Sequence, residues 1–268
     1  MSTRFRSALM AGAAAVLGLA LTACGGSDAG SGQQAGGQAG APARTLTVSA
    51  AASLTSVYQQ LGTEFQNANP GTTVTFNFGG SDSLAQQVVQ GAPADVLATA
   101  SSRTMQTAVQ AGKIQGEPVV YATNSLQIAV APNNPKQITD LAAMARPGVI
   151  SVVCAPAVPC GAAAEAAEKA AGVTLTPASE EQDVKGVLNR VQTGNADAGL
   201  VYVTDVRSAQ GKVQGVDFPQ ASAQGAVQSY PIGVVTGSQN ADLAQNWVNF
   251  VRGPEGTAAL QQAGFVTK

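Results

Sequence analysis

The chain has 268 residues and a formal charge of −2, enough for one large α/β unit or two smaller lobes. Charged residues make up only 11% and aromatics 4%, which leaves no basic, aromatic-interleaved surface for nucleic acid. Histidine is absent, which removes the commonest general base and the commonest metal ligand and argues against enzyme chemistry.

The first segment reads as an export signal. Arg4 and Arg6 precede an apolar run from Ala8 to Leu21 that is too short for a comfortable membrane span and ends in small residues. Leu21-Thr22-Ala23-Cys24 resembles a bacterial lipobox. That resemblance makes residues 1–23 a lipoprotein signal peptide and Cys24 the lipid-bearing first mature residue, tethered outside the cytoplasmic membrane. The competing reading is an uncleaved anchor helix with a buried cysteine. Residues 24–43 are Gly, Ser, Gln and Ala with almost no bulky apolar side chain, so they cannot offset the entropy of ordering and read as a flexible tether.

From Arg44 the pattern alternates between strands and helices. Thr45–Ala50 reads as a strand, and Leu54, Val57, Leu61 and Phe65 mark one face of a helix. Asn69-Pro70-Gly71 is a turn. Val74, Phe76 and Phe78 alternate with polar residues as a second strand. Leu84–Val89 reads as a short helix, Asp95–Ala100 as a third strand, and Ser101 as the N-cap of the next helix. Val119–Tyr121 and Leu126–Val130 read as two strands around Thr123-Asn124, Ile138–Met144 as a helix, and Val149–Val153 as an apolar strand. Ala162–Ala171 is an Ala/Glu helix ended by Gly172, and Ser179-Glu180-Glu181-Gln182 fits a capping box for the Val184–Val191 stripe. Ala198–Val203 and Tyr230–Val235 are strands. Leu243, Trp247, Phe250 and Val251 mark a helix, and Gly253-Pro254-Glu255 opens a last helix that Gly264 ends. Regular alternation predicts an α/β protein with a mostly parallel sheet, in which ligands bind beyond the carboxyl ends of strands.

Three groups of residues stand out at such positions. Ser53, in Ala50-Ala51-Ala52-Ser53-Leu54, and Ser81, in Gly79-Gly80-Ser81, each follow a strand and open a helix among small residues. A helix start offers unpaired N–H groups and the positive end of the dipole, so it suits an anion, although a serine there also serves as a plain cap. Cys154 and Cys160 do not have the spacing of a redox motif and lack a histidine partner; in an oxidising compartment the pair reads as a disulfide. It would rigidify the loop before the next helix and hold the N–H groups of Cys160 and Gly161. Tyr202 ends an apolar strand and reads equally as a core tyrosine or a ligand contact. Asp82, Asp95, Asp183 and Asp205 read as caps and dipole partners.

Taken together these pieces resemble the molybdate-binding proteins, the solute receptors of bacterial ABC importers for molybdate or tungstate. The resemblance runs from about Thr45 to the C-terminus. It rests on Ala50-Ala51-Ala52-Ser53-Leu54-Thr55, Gly80-Ser81-Asp82-Ser83-Leu84-Ala85, Gly91-Ala92-Pro93-Ala94-Asp95-Val96 and Val158-Pro159-Cys160-Gly161. Further pieces are Gln182–Leu188, Asp197–Tyr202, Tyr230-Pro231-Ile232 and Gly253-Pro254-Glu255. It implies a type II periplasmic-binding-protein fold with a ligand cleft and a two-segment hinge, residues 44–123 and 232–268 forming one lobe and 124–231 the other. Carried over one at a time, the family's binding residues fall on the Ser53 and Ser81 hydroxyls, the Cys160 and Val184 amides and the Tyr202 hydroxyl. Cys160 departs from the alanine expected there, but that contact is through the backbone. No cofactor or cation site is implied. The ligand would be molybdate or tungstate, with sulfate, thiosulfate or phosphate as the rival oxyanions. The partner would be an ABC permease, with contact to the membrane only through the lipid, and the protein would be a monomer.

Overall fold

The computed structural model describes residues 43–219 and 225–268. The expected signal segment, Cys24 and the tether up to residue 42 lie outside the described residues. Strand β1 (Arg44–Ala51) runs into a single 3-10 turn, Ala52–Leu54, and then helix α1 (Thr55–Ala68). After it come β2 (Thr72–Gly79), α2 (Ser81–Val89), β3 (Val96–Ala98), α3 (Ser102–Gln110), β4 (Val119–Val130) and α4 (Leu141–Met144). Next are β5 (Ser151–Cys154), α5 (Pro159–Ala171), β6 (Ser179–Glu181), α6 (Val184–Gln192), β7 (Ala198–Tyr202), α7 (Val203–Ser208) and β8 (Gln214–Val216). The chain closes with β9 (Val227–Val234), α8 (Ala241–Arg252), α9 (Pro254–Ala263) and β10 (Val266–Thr267).

Among the described residues the strands form one sheet in the order β2-β1-β3-β9-β4-β7-β5-β6, with β8 and β10 also on β4. The sheet is mixed, which corrects the expectation of a mostly parallel one. Parallel pairs hold each end (β1 with β2 and β3, β5 with β6 and β7), while β9 and β4 pair antiparallel through the middle. The reason is topological: β9, from late in the chain, inserts between β3 and β4. The two strands expected around Thr123-Asn124 are the single long strand β4, because Asn124 is buried inside it and donates from Nδ2 to Thr204 Oγ1 at 2.8 Å.

Two principal cores flank this central pair. Leu46, Val48, Leu54, Tyr58, Leu61, Phe65 and Trp247 build one, with Phe65 and Trp247 edge-to-face at 5.3 Å. Ile128, Val152, Ala163, Val187, Leu188 and Leu200 build the other. Strand β4 crosses between them, Tyr121 and Ala122 belonging to the first core and Leu126 and Ile128 to the second; Tyr230 of β9 belongs to the first, and Ala226, just before β9, to the second.

Helix ends match their expected chemistry in most places. Ser101 accepts from the Thr104 N–H, and Gly172 and Gly264 end α5 and α9 in the left-handed region. The capping box expected at Ser179 does not form. Ser179–Glu181 pairs with β5 instead, and Asp183 caps α6, its Oδ1 accepting from the Lys185 and Gly186 N–H groups at 2.8 and 3.0 Å. The helix expected from Ile138 is limited to Leu141–Met144, since the Ile138 N–H is taken by Asn134 Oδ1 and Asp140 is the N-cap of the short helix.

Candidate functional site

The carboxyl ends of β1, β2, β5 and β7 converge on one small pocket of about 200 Å³, counting the space open to solvent. Ala51, Ala52, Ser53, Gly79, Gly80, Ser81 and Ala100 line it from the first-core side. Val158, Pro159, Cys160, Asp183, Val184 and Tyr202 line it from the other. All five residues singled out in the sequence therefore border one pocket, although they span 53 to 202. Among the described residues no lysine or arginine lines it.

Each residue is placed by a local device. Gly80 flanks α2, so Ser81 is its first residue; the helix has no side-chain cap for its leading N–H groups. The Ser81 Oγ accepts from the Ala100 N–H at 3.0 Å, which leaves its proton free to donate. Ser53 sits in the 3-10 turn, also without a side-chain cap, and its Oγ lies 2.8 Å from Tyr230 Oη. Pro159 occupies the first position of α5, where its missing N–H costs nothing, and Cys160 follows. The sulfurs of Cys154 and Cys160 are bonded, with Cα atoms 5.6 Å apart. Gly161 makes that loop possible, since a Cβ there would stand 2.0 Å from the Ala155 carbonyl oxygen. On α6, the Asp183 carboxylate turns back onto the Lys185 and Gly186 N–H groups and does not take the N–H of Val184, which lines the pocket.

Tyr202 is 1% exposed, and its Oη has no hydrogen-bond partner among the described residues. A buried hydroxyl left unpaired costs about 1–3 kcal/mol, so an unpaired one aimed at a pocket points to a missing acceptor. Burial, with Tyr230 and Asp205 adding to it, pushes its pKa well above the ordinary tyrosine value, so it stays a donor. Its backbone is fixed by Asp205, whose Oδ2 accepts the Tyr202 N–H at 3.1 Å. Asp205 is fully buried with Lys185 Nζ 2.9 Å from its Oδ1. Burial raises the Asp205 pKa, and Lys185 opposes the shift. This ion pair was invisible in the sequence, where the partners stand twenty residues apart.

The two sides meet over the pocket. Arg103 Nη2 donates to the Ala157 carbonyl at 2.9 Å. A Cβ on Gly80 would lie 2.4 Å from the Gln182 carbonyl oxygen and 3.4 Å from Val158 Cγ1. The site thus offers hydroxyls and helix starts around a small space without a basic side chain, its one carboxylate, Asp183, already accepting from two amides of α6, a donor set for an acceptor-only guest. Tyr230 was missed as a site residue because nothing local to either residue links positions 53 and 230.

Comparison with known proteins agrees with this geometry. Residues 46–266 match the family described as bacterial extracellular solute-binding protein. The chain belongs to that family. This extracellular solute-binding protein is 45% identical to the molybdate-binding protein of Mycobacterium tuberculosis over 251 residues, 94% of each chain. It is 30% identical to the molybdate-binding protein of Escherichia coli, over 83% of this chain and 89% of that one. It is also 26% identical to the sulfate-binding protein of Synechococcus elongatus, over 92% and 78%. Its fold matches the periplasmic molybdate-binding protein of Azotobacter vinelandii with a TM-score of 0.73, at 20% identity, over 82% of this chain and 98% of that one. The α/β fold is that of the periplasmic solute-binding proteins.

Proposed function

We propose that this solute-binding protein is the lipid-anchored receptor that captures molybdate or tungstate in a cleft between two lobes and hands it to an ABC permease. The observation that carries the reading is the convergence of Ser53, Ser81, Cys160, Val184 and Tyr202 on one pocket whose described lining holds no lysine or arginine, with the Tyr202 hydroxyl unpaired. Molybdate and tungstate at neutral pH are tetrahedral dianions with acceptor oxygens only, so donors without a counter-charge match them. The relatives named above as molybdate-binding support the choice of anion.

In this reading the two cores are the cores of the lobes, and β4 and β9 are the hinge. Ser53 and Ser81 ride on one lobe; Cys160, Val184 and Tyr202 ride on the other. The anion satisfies both sets only when the lobes meet, so it favours the closed form that the permease recognises. Cys24 carries the lipid that keeps the receptor at the membrane, and labelling of wild-type and Cys24→Ala protein with a radiolabelled fatty acid tests that part.

The rival anion is sulfate, favoured by the sulfate-binding relative. Calorimetry of the domain from residue 43 with molybdate, tungstate and sulfate decides between them. Tight binding of the first two and weak binding of sulfate is expected. Tight sulfate binding with no response to molybdate refutes the assignment.

A further inference from the structure

A hydroxyl is both donor and acceptor, so a serine in an anion site must be told which to be. At Ser81 the protein does this with the Ala100 N–H, which occupies an Oγ lone pair at 3.0 Å. Ser53 has no such amide. Its Oγ meets instead the Tyr230 Oη at 2.8 Å, and both side chains are buried.

The guest gives this contact a direction. A serine hydroxyl has one proton, so a Ser53 that donates it to an acceptor-only oxyanion can meet the Tyr230 Oη only as an acceptor. Burial pushes the Tyr230 pKa far above the ordinary tyrosine value, so the phenol keeps its proton at any working pH and can supply it. Tyr230 then donates to Ser53, and the Ser53 proton is left for the pocket.

We infer that Tyr230 is a positioning and specificity residue: by donating to Ser53 it fixes Ser53 as a donor, so the site favours fully deprotonated oxyanions and penalises those that carry a proton. The inference rests on the oxyanion reading above. A hydrogen phosphate or hydrogen arsenate that turned its O–H toward Ser53 would meet an occupied lone pair and a proton facing a proton. Tyr230 itself does not line the pocket, so its effect passes through Ser53.

The test is a double-mutant cycle on the domain from residue 43, by calorimetry at pH 7 with molybdate and with inorganic phosphate, using wild type, Tyr230→Phe, Ser53→Ala and the double variant. Tyr230→Phe keeps the ring that packs edge-to-face on Phe265 and Tyr202, and its unfolding midpoint reports whether the fold is intact. Tyr230→Phe is expected to weaken molybdate by about two- to tenfold, the worth of one neutral hydrogen bond. It should also raise the ratio of phosphate to molybdate affinity, and it should add nothing in the Ser53→Ala background. Equal molybdate losses in both backgrounds, an unchanged ratio, or wild-type affinity in Tyr230→Phe overturns the inference while leaving the receptor reading standing. A wild-type protein that binds no tetrahedral anion takes both down, and that result is told apart before any variant is compared.

Discussion

Gly80 offers the sharpest test of closure, because its role is steric and its backbone is ordinary. Its φ of −62° and ψ of 131° suit any residue, so Gly80→Ala introduces no conformational strain. The added methyl, however, would stand 2.4 Å from the Gln182 carbonyl oxygen across the pocket. Reaching ordinary van der Waals separation requires the two sides to part by about 1 Å there. A hydrogen bond of about 2.8 Å stretched by that amount is no longer one. If the anion loses one or two such bonds from the Cys160, Val184 and Tyr202 side, at about 1.5–3 kcal/mol each, affinity falls by roughly 10- to 10,000-fold. Each core stays as it is, so the anion-free protein should unfold within about 0.5 kcal/mol of wild type. Calorimetry with molybdate, paired with melting curves with and without the anion, reads both quantities. Wild-type affinity in Gly80→Ala, or a loss of affinity matched by a large loss of anion-free stability, refutes the closure argument.

The same geometry sets other outcomes. Tyr202→Phe should weaken molybdate by about tenfold or more, yet leave the anion-free protein as stable as wild type or more so, since the buried hydroxyl has no partner to lose; melting and calorimetry together check it. Replacing Cys154 and Cys160 by serine should cost about 2 kcal/mol of stability by the chain-entropy estimate for so short a loop, and loosen the Cys160 and Gly161 amides, so anion affinity drops as well; reductant on wild type should reproduce both changes. Arg44 grips Asp242 through two hydrogen bonds, which hold the Asp242 pKa at about 2, below its ordinary 3.8. A carboxylate with a depressed folded pKa stabilises the fold above its unfolded value and loses that contribution as pH falls toward the folded one. Wild type should therefore lose melting temperature more steeply than Asp242→Asn between about pH 4 and 2. Parallel curves would sink that reading.

What could be read in the sequence was whatever is local. Strand, small residues, serine, helix is a local order, so Ser53 and Ser81 were visible as helix starts, and the six-residue spacing of Cys154 and Cys160 put a pair within reach of bonding. The mixed sheet was not visible, because pairing β9 between β3 and β4 joins strands about 110 to 135 residues apart and leaves no trace in either strand's own pattern. Asn124 misled for a physical reason. A polar residue interrupting an apolar run looks like a turn, but here β4 leaves one core for the other, and Thr204, at the start of α7, accepts from the amide. Ser179 misled because Ser-x-x-Gln suits a cap as well as a strand edge; the open edge of β5 took the segment, and Asp183 supplied the cap.

Asp183 also bears on why an anion pocket carries a carboxylate on its wall. A free carboxylate there would repel a dianion. Its Oδ1, though, spends its negative charge on the second and third amides of α6, which compensates it locally and does not take up the first amide, that of Val184. The same logic extends to Asp205, which is paired with Lys185 while holding the Tyr202 backbone. In both cases charge serves to orient neutral donors, and no lysine or arginine enters the lining. A site built this way selects by counting acceptors and by size, whereas a lysine or arginine would attract any small anion regardless of its protonation. Introducing such a cation, for instance by Ala52→Lys, should therefore raise phosphate and sulfate binding relative to molybdate; an unchanged ranking of the three anions would show that the neutrality of the lining does not set the selectivity.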